Sequence, residues 1–389
     1  MTVSGVTVSG MSILARPIVA ALVLSATILG THAATADEVD TTPGTVVSVE
    51  ELAPELWLPG TADAKRITYW TIGSDGAAAL SSGAVFVPEG APPEGGWPVI
   101  GWAHGTSGVD DNCAPSLVGP ADPARDRQYL GAWLHQGYAI AATDYVGLGT
   151  PGLMPYLDGK VSAHSVVDSV KASRAVHDSL SNKWVAVGQS QGGGAAITTA
   201  RYATEFGGSE LDYRGAVGTG VPANIELALL PAGPGYLPFP ISEGLTTYAL
   251  YILSGVRSAH PEVNIDSYLT EEGRRLVDEA ETLCVMEAEQ QFDDVVTGDL
   301  FTRPLNEIPN LYGLLNDYMG VPVDGYDRPV FIGQGLYDAD VPAPSALSLV
   351  AQMTANGEPV TLRTYPTDHS GALLQSQADS IPFVKRLFE

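Results

Sequence analysis

From residue 66 onward the chain alternates short apolar runs with stretches whose apolar positions recur at helical spacing. Residues 66–72 and 83–88 have the composition of strands, and the Pro/Gly-rich stretch 89–98 that follows predicts a surface turn. The run 99–103 predicts a buried strand, 129–136 a helix and 138–143 the next strand. Within 161–176, Ala163, Val166, Val167 and Val170 share one helical face. A strand at 184–187, a helix at 193–204 and a strand at 215–221 continue the rhythm. Such strand–helix alternation predicts an α/β fold: a mostly parallel sheet with helices on both faces.

After Pro222 the rhythm breaks. Apolar helical patches at 225–230 and 248–253, many prolines and one acidic helix over 271–292 occupy the segment to about residue 310. Alternation resumes with a strand at 329–333, a helix at 344–355, a strand at 360–365 and a last helix to the end. An irregular stretch inside a regular sheet pattern reads as a helical cap inserted over the carboxyl ends of the strands. The expected division is residues 37–221 and 326–389 for the core and 222–325 for the cap.

The amino-terminal pattern differs. Arg16, an apolar run over 18–29 and then Ala34-Thr35-Ala36 follow the order of a secretory signal peptide. The run is short of the ~20 residues of a membrane span. Residues 1–36 are therefore expected to be removed near Ala36, giving a secreted protein without stable membrane insertion.

Composition sharpens this. An apolar share of 45% supports a large core, and a net charge of −26 disfavours nucleic acid and anionic lipid surfaces. Loss of Arg16, the one charged residue before Asp37, makes the mature chain one unit more acidic. The two cysteines, Cys113 and Cys284, point to one disulfide in an oxidising compartment, with two separate buried thiols as the alternative. A bridge closing so long a loop stabilises by up to about 5 kcal/mol.

The chemistry is concentrated in a few motifs. Gly188-Gln189-Ser190-Gln191-Gly192 lies between a predicted strand and a predicted helix, the context of a nucleophile elbow. Serine needs a base, and His369, directly after the last predicted strand, fits better than His260 within the cap. The acid that orients this base lies after the strand at 329–333, where Asp338 and Asp340 compete; Asp338 is nearer the strand end. The order Ser, Asp, His is that of α/β-hydrolases. Backbone N–H groups of Gln191 and of Thr106, in the loop His104-Gly105-Thr106-Ser107-Gly108, are the expected oxyanion donors. Asp144 and Tyr145, in the glycine-rich loop 144–152, are candidate lining residues, with a purely structural loop as an alternative of at least equal weight. Cap residues Leu227, Leu229, Leu230, Tyr236, Leu237, Phe239, Tyr248 and Tyr251 are candidates for an acyl pocket, with ordinary cap packing as the equal alternative. The sequence contains no His-x-x-x-His, Cys-x-x-Cys or P-loop, and neither metal nor cofactor is expected.

Taken together, Ala103-His104-Gly105-Thr106, Cys113-Ala114-Pro115-Ser116, the stretch Asp144 to Gly152 with Pro155-Tyr156-Leu157, Gly188 to Gly192 and Asp338 to Pro342 resemble the secretory lipase family. That family comprises the fungal lipase A type and its actinobacterial relatives. The resemblance implies an α/β-hydrolase fold, a triad of Ser190, Asp338 and His369, and pairing of Cys113 with Cys284. It also implies hydrolysis of acylglycerols or simpler esters, some members having transferase activity. The expected protein is a secreted, monomeric serine esterase or lipase acting on a small-molecule or lipid ester. An acyltransferase or a serine peptidase on the same triad, and a non-catalytic binding protein, are the alternatives.

Overall fold

The strands are β1 (Val46–Glu51), β2 (Thr61–Ile72), β3 (Ala78–Pro88), β4 (Trp97–Ala103), β5 (Ala139–Val146), β6 (Leu180–Gln189), β7 (Asp212–Thr219), β8 (Val330–Gly335) and β9 (Val360–Tyr365). In this computed structural model, which describes residues 39–389 apart from Pro240 and the side chain of Glu243, they form one sheet in the order β1-β2-β3-β5-β4-β6-β7-β8-β9. Pairing is antiparallel from β1 to β5 and parallel from there to β9. The expected export signal, residues 1–36, lies outside the described residues.

The helices are α1 (Pro115–Val118), α2 (Pro123–His135), α3 (Gly159–Val176), α4 (Gln191–Gly207), α5 (Glu226–Leu229), α6 (Glu243–Ala259), α7 (Glu271–Ala280), α8 (Val285–Gln291), α9 (Leu311–Met319), α10 (Ala343–Ala355) and α11 (His369–Phe388). Apolar side chains on alternate residues of the central strands enter two different cores. Val99 of β4 and Trp184 and Ala186 of β6 pack with Val166 and Val167 of α3 and Ile197 of α4. Ile100, Trp102, Val185 and Val187 pack with Trp133 of α2 and Phe383 of α11. Burial on both faces is the reason these strands read as unbroken apolar runs.

Five helices, α5 to α9, fall between β7 and β8, and their apolar faces join the core on the α3/α4 side. The single acidic helix expected over 271–292 is two helices. Cys284 between them is extended (φ −75°, ψ 157°), pairs in a β-bridge with Gly108 and forms the disulfide with Cys113, 171 residues away. Those bonds need extended backbone, which overrides the helical propensity of the flanking residues.

A buried polar cluster ties β2 to α3. Asp168 is fully buried and accepts from Thr71 Oγ1 at 2.9 Å and Lys171 Nζ at 3.1 Å. Burial outweighs both donors and lifts its carboxyl to about 6. A carboxyl raised in the folded state favours folding most at pH below its unfolded value, and that contribution is lost as pH rises through about 6. His164 on the same helix is lowered by burial to about 4, an effect of opposite sign. It is present in both proteins of the following comparison. Between about pH 4 and pH 7.5, urea unfolding should show wild type losing roughly 2–3 kcal/mol more stability than Asp168→Asn.

Candidate active site

The turn from β6 into α4 consists of Ser190 alone, at φ 58° and ψ −127°. A side chain rarely adopts this backbone, and holding it costs about 1–3 kcal/mol. The surrounding packing enforces it. A Cβ on Gly188 would run into the carbonyl of Gly192, and one on Gly192 into the carbonyl of Ala103 at the end of β4. Ser190 N–H donates to Thr219 O of β7 at 2.9 Å. The serine thus stands above three strand ends, 8% exposed, at the positive amino end of α4.

His369 is the first residue of α11, whose start Asp368 caps by accepting from Gly371 N. Its Nδ1–H donates to Asp338 Oδ2 at 2.6 Å. That carboxylate is fixed by three further donors: Gln334 Nε2 at 3.3 Å, Asp340 N at 3.1 Å and Val341 N at 2.8 Å. Of the two competing carboxylates, Asp338 therefore meets the histidine, and Asp340 lines the adjoining cavity. His369 Nε2 is buried and has no hydrogen-bond partner among the described residues. Gly220, next to Thr219, lies against the imidazole; a Cβ there would sit 2.6 Å from Cε1. Ser190 and His369 thus pack around the same two residues at the end of β7.

The loop after β4 approaches from the other side. A Cβ on Gly105 would lie 3.5 Å from that of Ser190, so the backbone passes close to the serine. Thr106 follows, with its Oγ1 2.7 Å from Tyr156 Oη. Ser107 O accepts from Val285 N at 2.9 Å, and Gly108 bridges to Cys284, which joins this loop to α8. Gln191 is buried at the start of α4 and lines the cavity.

Tyr145 does not line the cavity. It is 1% exposed, its ring packs on His104, and its Oη donates to His104 O at 2.9 Å. Asp144 is likewise structural: it accepts from Ser82 Oγ, Ser116 N and Ser116 Oγ, fastening the Cys-Ala-Pro-Ser segment to the end of β5. Both side chains turn under the loop to satisfy buried polar groups instead of facing outward.

Beside Ser190 opens a cavity of about 330 Å³, walled almost wholly by apolar side chains of the segment between β7 and β8. Leu229, Tyr236, Leu237 and Tyr248 line it. Phe239 does not; it is 56% exposed, because it lies on the proline-flanked surface loop before α6. Leu227, on the outer face of α5, is also exposed, and Leu230 and Tyr251 pack elsewhere. Sequence reasoning missed Tyr156, Ile252, Phe301 and Leu315, which line the same cavity from four separate segments. The apolar character of the last three shows that they are inside, not which cavity they face.

Asp338, Asp340 and His369 bring metal-ligand atoms within 4.8 Å of one another. The four donors already on Asp338 occupy both its oxygens, so a cation there would have to displace His369. No helix among the described residues is long and apolar enough to cross a membrane.

Sheet order, serine turn and histidine–carboxylate pair together define the α/β-hydrolase class. The secretory lipase family model matches residues 124–386, and the chain belongs to that family, the lipase/esterase class of carboxylic ester hydrolases. No curated protein matches it in sequence. Among solved structures, Candida antarctica lipase A is similar at 20% identity and a TM-score of 0.70, over 89% of this chain and 82% of that one. The rice cell wall degrading esterase LipA from Xanthomonas oryzae is similar at 18% identity and TM-score 0.70, over 89% and 98%. At these identities the likeness is one of fold.

A short Nδ1–H bond of this kind gives a downfield proton resonance. Gly220→Ala should push the imidazole off Asp338, and the resonance should disappear while circular dichroism shows the fold retained. Tyr145→Phe should lower stability by about 1–2 kcal/mol in urea unfolding, because it strands the carbonyl of His104.

Proposed function

We propose that the chain is an exported serine esterase or lipase whose catalytic triad is Ser190, His369 and Asp338. Ser190 Oγ attacks the ester carbonyl while His369 Nε2 takes its proton and then returns it to the leaving alcohol. Water attacks the acyl-enzyme by the same route in reverse and releases the acid. Asp338 holds His369 in the tautomer that leaves Nε2 free to accept, and it stabilises the imidazolium. Backbone N–H groups of Gln191 and Thr106 hold the oxyanion, each worth about 3 kcal/mol of barrier.

One observation carries this reading: the 2.6 Å His369–Asp338 bond beside a serine held on a strained turn at a cavity. The cavity's apolar walls support an acyl chain as the group bound there, and residues 222–325 act as the cap that forms it. Export through residues 1–36 agrees with the Cys113–Cys284 disulfide, a bond of oxidising compartments.

Hydrolysis of p-nitrophenyl esters from acetate to palmitate tests the mechanism. Ser190→Ala should lower kcat by about 10⁴-fold or more. Equal activity in the two proteins, or none in either, would remove the proposal. Leu229→Trp, which fills part of the cavity, should cut the ratio of long-chain to acetate kcat/KM by about tenfold.

A further inference from the structure

The Thr106 and Tyr156 hydroxyls, 2.7 Å apart, form a pair with a surplus hydrogen. Each hydroxyl carries one hydrogen, and one hydrogen bond joins them. Neither oxygen has another hydrogen-bond partner among the described residues. One O–H is therefore left to point away from the pair. Tyr156 is 3% exposed, and burial raises its phenol above the usual range, so it stays protonated. A phenol is the more acidic hydroxyl, hence the better donor and the poorer acceptor of the two. The pair is arranged best with Tyr156 donating to Thr106 Oγ1, which leaves the threonine hydrogen free.

Both partners are held in place. The carbonyl of Tyr156 accepts from Tyr318 Oη at 2.8 Å, and its backbone lies so close to Gly255 of α6 that a Cβ there would be 2.9 Å from Tyr156 N. Thr106 stands between Gly105, which passes the serine Cβ, and Ser107, whose carbonyl is bonded to Val285 N of α8. The Cys113–Cys284 disulfide adds a covalent link between the same two segments. Tyr156 lines the same cavity as Ser190.

We propose that the Thr106 side chain is itself an oxyanion donor, its O–H turned toward the reacting carbonyl by Tyr156. This rests on the serine-esterase reading. When Ser190 Oγ bonds to the carbonyl carbon, the carbonyl π electrons move onto the oxygen. Thr106 keeps its proton and donates a hydrogen bond to that oxygen, alongside the backbone N–H groups. Thr106 is then a catalytic residue and Tyr156 a positioning residue. A hydroxyl fixed in this way before the reaction stabilises the developing charge without reorganising.

The test compares Thr106→Val, Thr106→Ser and Tyr156→Phe on p-nitrophenyl butyrate, with inhibition by an alkyl boronic acid as a mimic of the tetrahedral state. Valine matches threonine in shape and keeps the backbone donor. Thr106→Val should lower kcat about 30–100-fold, with KM within about threefold, and weaken boronic acid inhibition by a similar factor. Thr106→Ser should stay within about threefold of wild type. Tyr156→Phe should lose about 3–10-fold in kcat, because the threonine hydroxyl is no longer oriented. The inference is overturned if Thr106→Val keeps kcat within twofold, or if Tyr156→Phe is the more damaging. Wild type without ester hydrolysis would instead defeat the serine-esterase reading beneath it.

Discussion

The close approach of three backbone segments at Gly188, Gly192 and Ala103 is the constraint on which the site depends. β6 can pass into α4 in one residue only because Gly188 and Gly192, two residues to either side of Ser190, carry no side chain where the backbones meet. The serine therefore takes a backbone conformation costing about 1–3 kcal/mol, and the parallel strands on either side hold it there. Its amide is fixed by Thr219, and the next residue, Gly220, forms the bed on which the His369 ring lies. The positions of Ser190 and of His369 are thus set by the same stretch at the end of β7.

A second constraint couples this core to the helices between β7 and β8. The loop carrying Gly105 and Thr106 is not closed by its own side chains. It is finished by the bond from Val285 to Ser107, by the bridge at Gly108 and by the disulfide, all from the start of α8. Gly108 is needed at that junction because it has φ +139° and a Cβ would meet Cys113 Sγ. The helical segment therefore has two roles. It walls the apolar cavity beside the serine, and it fixes the loop that faces the serine from the opposite side.

The buried carboxylates of this region are matched close at hand. Asp338 accepts from four donors and Asp144 from three, while the carbonyl of His104 is met by Tyr145. Burial keeps His104 itself below its usual range, and its Nδ1 lies 2.6 Å from Gly105 O. Among the polar groups here that lack a full set of partners, His369 Nε2 lies on the residue bonded to Asp338, and the Thr106–Tyr156 pair carries a surplus hydrogen in the loop that passes Ser190.

Much of this was legible in the chain itself. Unbroken apolar runs at 99–103 and 184–187 marked central strands because a parallel strand is covered on both faces. The Gly-x-Ser-x-Gly spacing located the turn because only glycine fits where backbone meets backbone. Single-residue roles were less legible where they depend on the direction of a side chain. Tyr145 and Phe239 sit at positions compatible with a pocket, yet one turns under its loop and the other faces solvent. Sequence by itself determined the order of strands and helices, the serine turn and the presence of a histidine and two carboxylates after the last strands, since these depend on local pattern and backbone sterics. Tertiary structure alone decided that Asp338 meets His369, that Cys284 breaks a helix and that Tyr156 meets Thr106, because those contacts join segments far apart in the chain, and only packing brings such segments together.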